Sequence, residues 1–168
     1  VERVLQFASL EAGHEAMAHA PVDLAALVDE CVADTRRDHP SATVVAETPP
    51  DLPAVMGDAA ALRTCIGNLL GNAAKYGGPG VIIRIATSIQ GQGSRRRVAL
   101  DVEDTGPGID PHDLPHVFEP FYRGSQATTR RIAGNGLGLH LVRRFVAAHG
   151  GRVVAVRRPG PRTVFTIE

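Results

Sequence analysis

Three stretches of this sequence combine residue types and spacings suited to binding chemistry. The first is 98–108, V-A-L-D-V-E-D-T-G-P-G. Val98, Leu100 and Val102 alternate with Ala99, Asp101 and Glu103, the period of a half-buried strand. Continuing that alternation puts Asp104 on the apolar face, where a carboxylate is costly unless something pairs with it. Thr105, Gly106, Pro107 and Gly108 then turn the backbone and keep side chains out of the way. The result is an inward-facing acid at the mouth of an open, glycine-lined space. Taken alone, D-T-G-P-G reads equally well as an aspartate capping an ordinary turn.

The second stretch places Asn68, Asn72, Lys75 and Tyr76 at i, i+4, i+7 and i+8, on one helix face beside an apolar stripe. Asparagine is a poor mid-helix residue, and Lys75 is the single lysine of the chain. A solvated face with an amide pair is the bland reading. The chemical one is a polar wall: amide oxygens can ligate a hard cation, lysine can meet a phosphate, and tyrosine can lie on a base. The third stretch is Gly134-Asn135-Gly136-Leu137-Gly138-Leu139, the start of a helix. A glycine-rich start exposes backbone N–H groups at the positive end of the helix dipole, which favours phosphate. It is not the dinucleotide pattern G-x-G-x-x-G, since Leu139 holds the sixth position, and no Walker A pattern occurs. His112 and His116 mimic a zinc-protease pair, but Pro115 would disrupt that helix and Asp113 stands where glutamate is needed. His14-Glu15 resembles a phospho-acceptor box, yet His19 occupies its proline position.

These side chains need elements to hold them. Residues 1–13 have helical spacing and read as the end of a longer helix, and 14–20 as an alanine-rich linker. Pro21-Val22 is extended. Asp23 caps a helix with Leu24, Leu27, Val28, Cys31, Val32 and Thr35 on one face, stopped at His39-Pro40. Thr43 to Thr48 is a strand followed by a Pro-Pro-Asp turn. Asp58 caps a helix to about Tyr76, buried along Leu62, Ile66, Leu69, Leu70 and Ala73 and ended by Gly77 to Gly80. Strands at 81–89 and 95–104 flank a Gln-Gly-Gln-Gly-Ser loop. Residues 105–135 hold one apolar cluster, Val117 to Tyr122; so long a loop is functional or mobile. A helix at 137–149 buries Leu141, Val142, Phe145 and Val146, and strands at 152–157 and 162–167 close the chain. Elements mixed in this order imply an α+β fold: one mixed sheet with helices on one face.

At 168 residues, 43% hydrophobic and 21% charged, the chain suits one globular domain with a real core. Its formal net charge of zero gives no electrostatic case for nucleic acid or an anionic membrane. The arginine clusters (Arg95 to Arg97, Arg130-Arg131, Arg143-Arg144, Arg157-Arg158) fall in different elements and read as solvated faces and strand ends. Cys31 and Cys65 sit at apolar helical positions as reduced core residues. There is no signal peptide and no apolar run of transmembrane length.

Together these stretches resemble the ATP-binding catalytic domain of two-component sensor histidine kinases, within the GHKL superfamily. Asn68 to Tyr76 resembles the N box, Asp104 to Ile109 the G1 box, Val117 to Arg123 the F box, and Gly134 to Leu139 the G2 box. The resemblance covers about 21–168, and residues 1–13 are similar to the end of the second dimerisation helix of such kinases. It implies a two-layer α/β sandwich, the Bergerat fold, with a mostly antiparallel mixed sheet. It implies that Asp104 accepts a hydrogen bond from the adenine amino group and rejects guanine, whose carbonyl would face it. Asn72 would hold Mg²⁺, with Asn68 on the same wall; Lys75 would meet a phosphate, and Tyr76 would flank the adenine. Gly106, Gly108, Ile109, Phe118, Phe121, Tyr122, Gly134, Gly136, Leu137, Gly138 and Leu139 would complete the nucleotide site. Residues 119–135 would form an ATP lid with Arg123, Arg130 and Arg131 as γ-phosphate contacts, and Asn72, Lys75 and Arg123 would be the catalytic set.

The resemblance further implies ATP and Mg²⁺ as cofactors. The partners it implies are the parent's own dimerisation and histidine-phosphotransfer domain and a response regulator. The parent would be homodimeric and anchored in a bacterial inner membrane, with this domain in the cytoplasm. The acceptor histidine and its helix do not occur in these residues, so this stretch is expected to bind ATP without phosphorylating itself. The rival readings are a GHKL ATPase of the chaperone, gyrase or mismatch-repair kind, an anti-sigma-type serine kinase, and a nucleotide-binding module without kinase activity. The first would need a glutamate on the N-box helix, where this sequence offers asparagines.

Overall fold

The computed structural model describes residues 17–93, 96–125, 132, 134–160 and 162–168. The expected preceding helix, residues 14–16 of the expected linker (with His14-Glu15), and Arg130 and Arg131 lie outside the described residues.

Two aspartates start the first two helices. Asp23 accepts the Ala26 N–H at 3.0 Å and opens helix α1 (Leu24–Asp38). The buried face of α1 is the expected run Leu24, Leu27, Val28, Cys31, Val32 and Thr35, one side of a 3.6-residue repeat. The helix ends at His39, ahead of Pro40, and Arg36 reaches from its last turn to the Val44 carbonyl at 2.7 Å. That bond ties α1 to strand β2 (Thr43–Glu47). Asp58 opens helix α2 (Ala59–Gly77) by accepting the Ala61 N–H at 3.0 Å.

The second oxygen of Asp58 accepts the Ala18 N–H at 2.9 Å, and its own N–H donates to His149 Nε2 at 2.9 Å. This knot lies beside a two-stranded sheet in which β1 (Ala20–Val22) pairs antiparallel with β3 (Val55–Gly57). Three-residue strands are too short for alternation to show, so β3 is absent from the sequence reading. The expected linker boundary shifts accordingly: Ala20 belongs to β1, and Ala18 is tied to the cap of α2.

The main sheet adds β4 (Ile82–Gln90), β5 (Arg97–Asp104), β6 (Val153–Arg158) and β7 (Arg162–Ile167), in the order β2-β4-β5-β7-β6. Among the described residues only the β2–β4 pair is parallel. A parallel pair needs a crossover, and α2 supplies it. Helix α3 (Gly138–Ala148) completes the second layer, with α2 packed between α1 and α3 and against β4 and β5. The expected mixed sheet with helices on one face is thus the observed architecture. The core joins Ile66, Leu69 and Leu70 of α2 to Ile83, Ile85 and Val102 of the sheet and Leu141 and Val142 of α3. Each such side chain contributes about 1.5–3 kcal/mol when fully buried. Leu62 is only partly buried, and Cys65, a helix turn on, is fully enclosed. Among the described residues no helix is long and apolar enough to cross a membrane.

Two outcomes follow from this packing. Burial pushes the Cys65 thiol up to about 12 and the Cys31 thiol up to about 11. Both are expected to resist a thiol reagent in the folded chain at about pH 8 and to react fully in denaturant, since only the thiolate attacks; a colorimetric time course reads this. Asp58→Ala is expected to lower stability by about 1–2 kcal/mol in urea titrations through loss of the helix cap. The Ala61 and Ala18 N–H groups hold the Asp58 carboxyl below the usual carboxylate range. Its stabilisation is therefore present at neutral pH and lost as pH falls through that lowered value, so the deficit of the variant shrinks in acid.

Candidate functional site

Strand β5 delivers Asp104 to the inner face at its last residue, 9% exposed, opposite Ile83 on β4 and Thr163 on β7. Burial pushes the Asp104 carboxyl above the usual carboxylate range, opposed by the Gly106 N–H, which donates to Oδ1 at 2.8 Å. Gly106 is required there by close approach: a Cβ would lie 2.6 Å from both Asp104 Oδ1 and the Gly77 Cα at the end of α2. Thr105 closes the turn, its hydroxyl accepting the Ile82 N–H and its own N–H donating to the Ile82 carbonyl, both at 3.0 Å. Thr163 is 2% exposed, and its hydroxyl accepts the Ile109 N–H at 3.1 Å.

Asp104 opens into a cleft between the C-terminal half of α2, the turn after β5 and the start of α3. Asn72, Lys75 and Tyr76 form the α2 wall, as their helical spacing requires. Gly108, Ile109, Tyr122 and Arg123 line the loop side, and Gly134, Gly136, Gly138 and Leu139 the α3 side. Of the expected set, Asn68, Gly106, Phe118, Phe121 and Leu137 do not line the cleft. Asn68 is 4% exposed, because each step of four residues rotates about 40° around a helix and carries it from the Asn72 wall toward the core. Among the described residues neither of its amide atoms has a hydrogen-bond partner. Leu137 is a core residue with no exposure. Phe118 stands edge-on to Phe165, with ring centroids 6.2 Å apart, and so supports a cleft-lining residue from behind.

Helix α3 differs from α1 and α2 at its start. Leu137 occupies the cap position and no side chain caps it. With no carboxylate there, its first N–H groups and the positive end of its dipole are left to the cleft. Ahead of it the chain crosses back on the F-box segment. The Phe121 N–H donates to the Gly136 carbonyl at 3.0 Å, and Arg123 donates to the Ile132 carbonyl at 2.6 Å. Gly136 has a φ of +70°, and a Cβ on it would come within 2.6 Å of the Phe121 backbone. Phe121 itself is left-handed at 63° and 60% exposed, a conformation uncommon outside glycine and held here by its bond to Gly136.

The cleft also contains residues that sequence reasoning missed. Thr163 and Phe165 reach it through the β5–β7 register, which no local pattern reveals. The sequence marks Asp113 only as standing where a zinc-protease pair would need glutamate. In the structure Leu114–His116 is a 3₁₀ turn, and His116 Nδ1 lies 2.8 Å from Glu119 Oε1.

Comparison with known proteins places this geometry. Residues 57–168 match the family described as histidine kinase-, DNA gyrase B-, and HSP90-like ATPase. The chain is 35% identical over 160 residues to the probable sensor histidine kinase TcrY of Mycobacterium tuberculosis, covering 95% of this chain and 33% of TcrY. It is 30% identical over 169 residues to the sensor-like histidine kinase SenX3 of the same species, covering 99% of this chain and 40% of SenX3. It thus spans well under half of either relative. Among solved structures, the mycobacterial sensor histidine kinase MprB superposes with a TM-score of 0.75 at 30% identity, covering 89% of this chain and 95% of that one. Full-length ShkA in complex with AMPPNP superposes at 0.83 and 29% identity, covering 98% of this chain and 34% of ShkA. These matches place the chain in the histidine kinase-, DNA gyrase B- and HSP90-like ATPase family, as the ATP-binding domain of a sensor histidine kinase.

Proposed function

We propose that the cleft binds Mg-ATP and presents its γ-phosphate to a histidine on a dimerisation domain outside these residues, from which a response-regulator aspartate is phosphorylated. One observation carries the reading: a buried acid and an uncapped helix start face each other across one cleft. The acid suits the adenine amino group, which donates to a carboxylate where guanine offers a carbonyl. The helix start suits the phosphates, with Lys75 and Arg123 as cations on the same cleft. The nucleotide analogue in the ShkA complex supports the same ligand class here.

The residues present fit a magnesium ion. Mg²⁺ takes oxygen ligands and keeps several waters. Asn72 offers an amide oxygen on the cleft wall, a hard oxygen donor that suits such an ion. Asn72 would hold the ion, which would neutralise charge on the transferring phosphoryl group. Arg123 would turn from the Ile132 carbonyl toward the γ-phosphate, and Tyr76 would flank the base. The shape of Phe165 and the Thr163 hydroxyl beside Asp104 would complete the base site. Helix α2 carries no Asp or Glu between Ala59 and Gly77, so it has no carboxylate to activate water. That favours transfer to a supplied nucleophile over hydrolysis. The parent kinase would be a homodimer held at a bacterial inner membrane with this domain on the cytoplasmic side.

Calorimetric titration with ATP, with and without Mg²⁺ and with GTP as control, tests this. Magnesium-dependent binding selective for ATP is expected; absence of ATP binding removes the proposal. Asp104→Asn is expected to weaken ATP by about 1–3 kcal/mol, the scale of a hydrogen bond to a charged group. The ionised carboxyl is the acceptor, and burial raises its titration. ATP affinity is therefore expected to hold at neutral pH and to fall on acidification at a higher pH than a free aspartate would give. In Asp104→Asn the part of that pH dependence that comes from the carboxyl should vanish, leaving the titration of the ATP phosphates themselves.

A further inference from the structure

Asp113 has no part in the functions assigned above, yet its carboxylate is one of the most heavily bonded groups near the cleft. It is 9% exposed. Its position is the cap of the 3₁₀ turn Leu114–His116, but the side chain makes no capping bond. Instead Oδ1 accepts the Tyr122 hydroxyl at 2.7 Å, and Oδ2 accepts both the Ser125 N–H and the Ser125 hydroxyl at 2.9 Å. All three donors come from one short segment, and the two residues between them are Arg123 and Gly124, both on the cleft wall. A Cβ at Gly124 would lie 2.8 Å from Asp113 Oδ2, so the backbone is drawn tight against the carboxylate. From the opposite side the same segment is held by the Phe121–Gly136 and Arg123–Ile132 bonds.

We propose that Asp113 is a positioning residue for nucleotide phosphate: its carboxylate latches Tyr122 and Ser125 to the body of the domain, so that Arg123 faces the phosphate end of the cleft. The proposal rests on the nucleotide reading of that cleft. Hydrogen bonds to an ionised carboxylate are roughly twice as strong as neutral ones, and three converging on one group restrict the segment to one arrangement. With the segment held in place before the ligand arrives, only the Arg123 side chain has to reorient, so less freedom is lost on binding. The contact also has its own signature. The Tyr122 hydroxyl bond is the main cause holding the Asp113 carboxyl below the usual range, and Asp113 in turn pushes the Tyr122 phenol up.

The test compares the wild-type chain with Asp113→Asn, which preserves size, and with Tyr122→Phe, which removes only the hydroxyl. The chain has two tyrosines and no tryptophan, so ultraviolet difference titration resolves the phenols, and Tyr122→Phe identifies which signal is Tyr122. In Asp113→Asn the Tyr122 phenol is expected to titrate at lower pH than in wild type. ATP affinity should fall about tenfold in both variants, while adenosine, which has no phosphate, should bind within about twofold of wild type. A folded Asp113→Asn with an unchanged phenol titration would sink the latch. ATP and adenosine weakened by the same factor would also overturn the proposal, since that marks a general loss of structure. A wild-type chain that binds no ATP overturns the positioning role together with the nucleotide reading; a shifted phenol titration would then establish the contact alone.

Discussion

Asp104 ends β5 with its carboxylate turned toward the helices, between Ile83 and Thr163, and a charge held there needs compensation from whatever lies in front of it. The protein supplies one backbone N–H, from Gly106, and leaves the rest of the acceptor capacity directed at the cleft. This explains the composition of the turn that follows. Any side chain at 106 would collide with the carboxylate and with the end of α2, so the turn that satisfies the acid is also the turn that keeps the space in front of it open. The acid is costly to the apo fold and useful only to a donor arriving from solvent.

Helix α2 does two tasks on adjacent faces. Ile66, Leu69 and Leu70 anchor it in the core, and Asn72, Lys75 and Tyr76 emerge at its C-terminal end along the cleft. Because the helix is fixed at its start by Asp58 and clamped between α1 and α3, the polar wall inherits the rigidity of the core. The contrast with α3 is one of electrostatics. Carboxylate caps stabilise the starts of α1 and α2, whereas an aspartate at the start of α3 would repel the anion that its dipole attracts. The helix with the exposed start lies across the cleft from the buried acid, so the cleft offers opposite kinds of surface on its two sides.

The segment 121–125 joins these parts. It is bonded to Gly136 and Ile132 on one side and to Asp113 on the other. Gly136 permits the first of these contacts because its φ is positive and no side chain could fit against Phe121. Arg123 is already engaged with a carbonyl, so any phosphate must offer a better partner than a neutral oxygen, which a charged phosphate does.

Much of this was legible in the sequence. Alternation from Val98 to Asp104 settled which way the acid points, since side chains on a strand must alternate. The spacing from Asn68 to Tyr76 placed a polar face beside an apolar stripe, since helical geometry is local. The caps at Asp23 and Asp58 and the glycine-rich start at Gly134 were read from residue type alone. The tertiary structure decided what local rules cannot reach. The register of β5 against β7 brought Thr163 and Phe165 to the site from the far end of the chain. A β1–β3 pair too short to show periodicity absorbed Ala20. The slow rotation of a four-residue step carried Asn68 from the wall into the core. The fold of the loop after β5 turned Asp113, which the sequence marks only as standing in place of a zinc-protease glutamate, onto Tyr122 and Ser125. Periodicity is a property of neighbouring residues and survives in the sequence; register, burial and the partner of a loop carboxylate depend on what packs against them and exist only once the chain has folded.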